Sequence, residues 1–246
     1  MAEQPGKKLA LVAGAAGGMG GATVARLARD GFRIAALDVN EQGLREALFG
    51  LGDEHRVFVV DITQQQQVRD AVRQVEAEMG PIEALVDLVG WCETRPFLSE
   101  DADYWRRVIA INYEGVLYLT HAVLPGMVER RRGRIVYVSS DAGRVGQSGE
   151  AVYAGAKGGV IAFAKSIARE MARYGITVNC TAPGPTDTPL EAQQDMEIIN
   201  RIIRHIPFRR MARPEEQASA IAFLVSDDAN FITGQTLSVS GGLTMQ

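Results

Sequence analysis

Residues 9–13, Leu-Ala-Leu-Val-Ala, form a short apolar run that passes directly into Gly14-Ala15-Ala16-Gly17-Gly18-Met19-Gly20-Gly21 and then into a helical pattern over 22–29. A buried strand, a glycine turn and a helix in immediate succession leave few folds open. The arrangement predicts the first unit of an open α/β sheet. Glycines let the backbone turn tightly and lie against a pyrophosphate, and the helix start offers it unpaired N–H groups and a positive dipole end. An ordinary tight turn reads the same way. The glycines at 14, 18 and 20 also depart from the commoner G-x-G-x-x-G spacing.

The following residues continue the pattern. Residues 32–37 read as a second strand closed by Asp38, an acidic group about 20 positions past the turn, where a ribose 2′-hydroxyl is expected. The same carboxylate opposes a 2′-phosphate: at 4 Å two unit charges repel by about 1 kcal/mol in water and about 4 kcal/mol at an effective dielectric of 20. No Arg or Lys lies in the turn or directly after Asp38. The expected cofactor is NAD rather than NADP. Asp38 as the N-cap of the next helix is compatible with that role. Residues 56–60 read as a third strand before Asp61-Ile62, with Asp61 either touching an adenine amino group or capping the helix over 63–79. A fourth strand spans 82–89. One or two helices fill 103–132, with Asn112, a mediocre interior helix residue, in the middle. The run Arg130-Arg131-Arg132-Gly133-Arg134 reads as a helix C-terminus with cations on the negative dipole end and a glycine stop. Strand and helix alternate to a last strand at 235–239 without linker or repeat.

The 246 residues therefore predict one domain over 1–246, a doubly wound parallel sheet with a small lid at 187–210. At 46% hydrophobic the chain can bury a large core, and a net charge of -4 gives no reason to expect nucleic acid. No run of about 18 apolar residues suggests a membrane span, and the first residues lack the apolar core of a signal peptide. Cys92 and Cys180 have no metal-ligand spacing and read as free buried thiols. A cytoplasmic, metal-free protein is expected.

The chemistry lies in Tyr153-Ala154-Gly155-Ala156-Lys157 together with Ser140. A tyrosine and a lysine four apart share one helix face. A phenol ordinarily titrates near pH 10, and an ammonium within about 4–6 Å favours the phenolate. Such a pair can move a proton on and off an alcohol oxygen near neutrality. Ser140 closes the apolar run 134–140, a buried parallel strand, so its hydroxyl stands at a strand's carboxyl end, where open α/β sheets bind ligands.

Taken together, Gly14/Gly18/Gly20, Asp38, Asp61, Asn112, Ser140, Tyr153-x-x-x-Lys157 and Pro183-Gly184 resemble the short-chain dehydrogenase/reductase family over nearly the whole chain. That resemblance implies a seven-stranded Rossmann sheet and usually a homotetramer, with 239–242 as a subunit-contact tail. It implies Tyr153 as acid/base and Lys157 as the group that lowers its pKa and holds the nicotinamide ribose. Ser140 would polarise the substrate oxygen, and Asn112 would support a relay water. The implied cofactor contacts are Gly14, Gly17, Gly18, Met19, Gly20, Asp38, Asp61, Ile62, Gly90, Tyr153, Lys157, Pro183, Gly184, Thr186 and Thr188. Two departures stand out: Ala13 replaces a usual Thr, and Asp87-Leu88-Val89-Gly90 replaces Asn-Asn-Ala-Gly. Asp87 can still accept a ribose hydroxyl proton, whereas Leu88 cannot replace an amide.

Substrate choice lives in the loops 91–97, 141–152 and 185–210. Trp91 is an apolar wall or a core residue. Arg201, Arg204, Arg209, Arg210 and His205 make the lid basic, either as a solvated helix face or as a handle for the phosphates of coenzyme A or an acyl-carrier group. Segments 121–131, 149–153, 183–188 and 231–245 resemble family members that oxidise cyclic 2-hydroxyacyl-CoA thioesters. The expected substrate is a 2-hydroxycycloalkanecarboxyl-CoA or other β-hydroxyacyl thioester. The alternatives are a carrier-bound 3-oxoacyl or polyketide chain and a general secondary alcohol or ketone.

Overall fold

The computed structural model describes residues 7–189 and 196–245. Among them, seven strands form one parallel sheet: β1 (Leu9–Ala13), β2 (Arg33–Asp38), β3 (Arg56–Val59), β4 (Ile82–Asp87), β5 (Gly133–Val138), β6 (Ile176–Pro183) and β7 (Thr236–Val239). Their order is β3-β2-β1-β4-β5-β6-β7. The winding direction reverses between β1 and β4, which opens a crevice at the carboxyl ends of the central strands. The expected doubly wound parallel sheet is the sheet observed.

The central strands are apolar on both faces because helices cover both. In β1 every residue is buried. Leu9, Leu11 and Ala13 face one side, and Ala10 and Val12 face the other. The first side is covered by α3 (Gln65–Met79), α5 (Gly115–Arg130) and α7 (Ala151–Met171), through residues such as Val72, Leu119 and Val160. The second is covered by α1 (Gly18–Arg29), α2 (Glu41–Leu48) and α9 (Pro214–Val225), through Val24, Leu44 and Ile221. The remaining helices are α4 (Ala102–Ile109), the four-residue α6 (Ala142–Val145) and α8 (Met196–His205).

Several boundaries differ from the sequence expectation. Helix α1 begins at Gly18 rather than at 22, so the glycines themselves make its first turn. Strands β3, β4 and β5 stop one or two residues before their apolar runs end, because those last residues have left the ladder to form the rim loops. Helix α5 stops at Arg131, not at a glycine: this arginine is left-handed, with φ +53°, and its N–H closes onto the Met127 and Val128 carbonyls. Gly133 already belongs to β5, where a Cβ would lie 2.4 Å from the Met127 sulfur. The helix α6 directly after Ser140 has no counterpart in the sequence reading.

Candidate active site

Helix α7 packs on β6, and Lys157 reaches from it to the carboxyl ends of β4 and β5. Its side chain is buried, and Nζ donates to the carbonyls of Val89 and Val138 at 3.0 Å each. Ser139 adds a further tie by donating from Oγ to the Lys157 carbonyl at 2.9 Å. Burial pushes the Lys157 ammonium below its usual range, opposed by Asp87 and by the Cys180 and Cys92 thiols. Tyr153 stands one turn earlier on the same helix face, with Nζ 5.9 Å from its ring centroid. Ser140 follows β5, and its Oγ accepts the Ala142 N–H at 3.1 Å. Helix α6 can pack on α7 here only because two glycines meet. A Cβ on Gly143 would lie 2.8 Å from both the Gly158 nitrogen and the Lys157 carbonyl carbon.

Asn112 sits in a π-helical turn, Ala110–Glu114, which joins α4 to α5 into one bent rod. The wider turn leaves a helix carbonyl unpaired, and the Asn112 amide repairs it. Its Nδ2 donates to Val108 at 2.9 Å and to the Trp91 carbonyl at 2.7 Å, while Oδ1 accepts the Trp91 N–H at 3.1 Å. The fully buried amide thus clamps the chain just past β4. Gly90 lies between this clamp and the lysine: a Cβ there would be 3.3 Å from Lys157 Nζ and 3.4 Å from Asn112 Oδ1. Lys157, Asn112, Gly90 and Ser140 are therefore gathered at one place on the rim.

The glycine turn lies beside them. Gly14 has φ +77°, and a Cβ there would sit 2.9 Å from the Val89 nitrogen, so the turn runs against the end of β4. A Cβ on Gly20 would fall 2.0 Å from the Gly14 carbonyl oxygen. Gly17 caps α1 with no side chain, leaving the first-turn N–H groups of Gly18 and Met19 to an anion. Asp38 closes β2 and faces this turn, its Oδ2 accepting the Ala16 N–H at 3.1 Å and Oδ1 the Asn40 N–H at 3.0 Å. Asn40, not Asp38, caps α2. Asp61 likewise does not cap α3: its Oδ1 takes the N–H and hydroxyl of Thr63 at 2.9 and 2.7 Å. Ile62 turns its side chain into the core, where a Cβ on Gly115 would come within 2.4 Å of it. These residues fit a nicotinamide dinucleotide: a side-chain-free cradle, a helix start for the phosphates, and a carboxylate at the ribose end.

The family described as enoyl-(acyl carrier protein) reductase matches residues 14–244. Three relatives align along almost their full lengths. An acetoacetyl-CoA reductase of Allochromatium vinosum is 37% identical over 243 residues, covering 97% of this chain and 99% of the relative. A 3-oxoacyl-(acyl-carrier-protein) reductase of Vibrio cholerae is 36% identical over 238 residues, covering 97% and 98%. A (3R)-3-hydroxyacyl-CoA dehydrogenase of Canis lupus familiaris is 35% identical over 249 residues, covering 96% of each. The chain belongs to the short-chain dehydrogenase/reductase family. It is an oxidoreductase of that family and uses a nicotinamide cofactor.

Against the pattern of the short-chain dehydrogenases/reductases, the departure at Asp87 has visible consequences. The carboxyl is buried at the end of β4, where Oδ1 accepts the Val89 N–H at 2.9 Å and Oδ2 has no hydrogen-bond partner. Burial pushes Asp87 up to about 6, against the pull of Lys157. Leu88 is buried in the core on the α1 and α9 side, so an apolar contact takes the place of the amide.

Downstream, Pro183 ends β6 and Gly184 packs on Ser240. Thr186 is buried, with its hydroxyl donating to the Gly184 carbonyl at 2.9 Å and accepting from Gln217 at 3.2 Å. Thr188 instead lies over the glycine turn, 3.1 Å from a Cβ on Gly18. The expected lid over 187–210 is described on both sides of residues 190–195, which lie outside the described residues. Its arginines are largely engaged: Arg210 makes a two-armed pair with Glu216 at 2.7 Å, Arg209 donates to the Arg204 carbonyl, and Arg204 to Asn200 at 3.3 Å. Trp91 is half-buried, with the Arg107 guanidinium 3.9 Å over its ring and Tyr104 beside it at 5.6 Å. Cys180 is buried and its thiol pushed up to about 12 by that burial, whereas Cys92 is only partly buried. Sequence reasoning missed Ser139, α6 and the Gly143–Gly158 contact. The doubled glycine after Lys157 was the signal for the last of these.

Proposed function

We propose that this protein is an NAD-dependent dehydrogenase/reductase that interconverts β-hydroxyacyl and β-ketoacyl thioesters, with a 2-hydroxycycloalkanecarboxyl-CoA as the favoured substrate. The observation that carries the chemistry is the seat of Lys157: an ammonium held on the carbonyl of Val138, which ends β5, and on that of Val89 just past β4, one helical turn from Tyr153. When bound, the nicotinamide accepts or donates the hydride. Tyr153 takes the alcohol proton during oxidation and returns it during reduction, with the Lys157 charge favouring its phenolate. Ser140 accepts from the Ala142 N–H and keeps its own O–H for the substrate oxygen. Asn112 spends both amide hydrogens on Trp91 and Val108, so its part is to hold the wall beside Lys157. The remaining cofactor contacts we assign are Gly14, Gly17, Gly18, Met19, Gly20, Asp61, Ile62, Gly90, Pro183, Gly184, Thr186 and Thr188.

NAD over NADP rests on Asp38, whose carboxylate stands at the ribose end of the cradle. The thioester rests on what the relatives are named for, and on a cavity of about 500 Å³ beside α8 lined by Asp187, Ile203, Arg209, Arg210, Met211 and Arg213. The positive charge of those three guanidinium groups, opposed there by Asp187 and by Glu216 on the Arg210 and Arg213 side, suits the phosphates of coenzyme A. The cyclic acyl group rests on the likeness of segments 121–131, 149–153, 183–188 and 231–245 to 2-hydroxycyclohexanecarboxyl-CoA dehydrogenase. The second reading, a reductase of carrier-bound 3-oxoacyl chains, is favoured by the Vibrio cholerae relative. We place the protein in the cytoplasm as a homotetramer.

The test is NAD⁺ reduction measured across free hydroxy acids, simple cyclic alcohols and their CoA thioesters, with acetoacetyl-CoA reduction by NADH and NADPH in parallel. The expected result is thioester turnover at least tenfold above the free acids in kcat/KM, with NAD(H) preferred. Equal rates on free and thioester-linked alcohols, or a preference for NADPH, overturns the assignment. Tyr153→Phe is expected to remove nearly all turnover while leaving NADH binding intact. Retention of a tenth of wild-type kcat would count against the proton-transfer role.

A further inference from the structure

We propose that Asp87 is a positioning residue for the Tyr153–Lys157 pair, a buried carboxyl whose gain and loss of a proton changes the charge balance around Lys157 and so gates the pair's activity. The inference rests on the dehydrogenase reading above and extends it to a residue where the family pattern carries an uncharged amide.

The geometry is that of two charges joined through one residue. The Asp87 Oδ1 accepts the N–H of Val89, and the carbonyl of the same Val89 accepts Lys157 Nζ at 3.0 Å. Asp87 sits mid-sheet, its strand paired with Ala13 of β1 on one side and Tyr137 of β5 on the other. Oδ2 is shut off from water without a hydrogen-bond donor. An ionised carboxylate in that position lacks half its usual solvation, and the ammonium is its main compensation.

The groups that face it come from every neighbouring element. Tyr137 lies on β5, its phenol paired with Thr120 at 2.7 Å and pushed far above its usual range by burial. Cys180 on β6 is pushed up to about 12. Cys92 lies in the loop after β4 and contributes to the field at Lys157. The buried phenol and the Cys180 thiol both stay neutral near pH 7, so the cation on α7 is the charge that answers the carboxylate. Because Asp87 is pushed up to about 6, it changes charge near the pH at which the Tyr153–Lys157 pair must work. Both members of that pair feel its removal in the same direction. Without the anion the ammonium loses a stabilising charge and the phenolate loses a repelling one, so both release protons at lower pH.

The experiment compares wild type with Asp87→Asn, an exchange of the same shape. In the profile of kcat/KM against pH, wild type is expected to show an inflection near pH 6 that Asp87→Asn lacks. The alkaline-side inflection of the Tyr153–Lys157 pair is expected to move down by roughly one pH unit in the variant. Identical profiles overturn the proposal. A second readout needs neither substrate nor variant: infrared spectra of protein carrying ¹³C-labelled aspartate, recorded from about pH 4 to about pH 8. One aspartic-acid carbonyl band should disappear with a midpoint near 6 in the cofactor-free protein. Asp87 is, among the described residues, the aspartate whose carboxyl is pushed up, so absence of that band overturns the proposal even if Asp87→Asn fails to fold. A protein that shows the band but turns over none of the thioesters refutes the dehydrogenase reading and its coupling, leaving only a titrating core carboxyl.

Discussion

At the end of β2 the Asp38 carboxylate already holds two backbone N–H groups, those of Ala16 and Asn40, before any ribose arrives. Its position about 20 residues past the glycine turn was legible from spacing alone. Its grip on the turn was not, because a side chain that bonds backbone N–H groups leaves no pattern in neighbouring residue types. On the proposed NAD assignment, Asp38→Ala removes the charge that opposes a 2′-phosphate, and it also leaves the Ala16 and Asn40 N–H groups without their acceptor. The NAD-to-NADP ratio of kcat/KM is expected to fall roughly tenfold or more, with a weaker KM for NADH. Steady-state kinetics with both cofactors checks it, and an unchanged ratio would remove Asp38 from the discriminating role. Asn112 was legible in another way, as a poor interior helix residue needing a reason. The reason is the π turn, whose open carbonyl could not be read from composition. Asn112→Ala leaves the Trp91 N–H, the Trp91 carbonyl and the Val108 carbonyl without their partner, a loss on the order of 3 kcal/mol in a buried site. Chemical denaturation is expected to show a lower midpoint at unchanged m-value.

Among the elements, α7 links scaffold to chemistry. It is rich in Ala and Gly and packs closely: Gly143 of α6 meets Gly158, and Tyr113 meets Gly159, where a Cβ would lie 3.2 Å from the ring. Both contacts fall within two residues of Lys157. Gly143→Ala puts a methyl group 2.8 Å from α7 backbone, which cannot be relieved by a rotamer change. The expected cost is about 1–3 kcal/mol, accompanied by a fall in kcat, because α6 is the element that follows Ser140. A Gly143→Ala enzyme with wild-type kcat and Tm would show that α6 moves independently of α7. The alternation of apolar strand runs with helical patterns made the parallel α/β sheet legible in advance, though not the order of its strands. Short elements such as α6, and strand ends bent into the rim, carry too few residues to show a period.

Over the whole molecule, Asp87 also writes itself into stability. Its folded carboxyl titrates at about 6 instead of the ordinary 3.8, so between those values the folded protein binds more protons than the unfolded chain. The contribution is therefore favourable at low pH and is lost as pH rises through about 6, a swing on the order of 3 kcal/mol. Measured against wild type, the Tm of Asp87→Asn is expected to gain ground as pH rises from about 4 to about 7 and then to level off. A constant difference across that range would mean the carboxyl is already ionised, or already solvated, throughout.

Asp141, buried one residue past Ser140, receives the hydroxyls of Ser238, at 2.9 Å, and Thr244, partners 97 and 103 positions away in the chain. A single carboxylate therefore couples the segment that carries Ser140, the proposed hydrogen-bond donor to the substrate oxygen, to the tail beyond the final strand. Positions 141, 238 and 244 are expected to drift as a trio among descendants of this chain, and a laboratory graft of a foreign tail should disturb turnover before it disturbs folding.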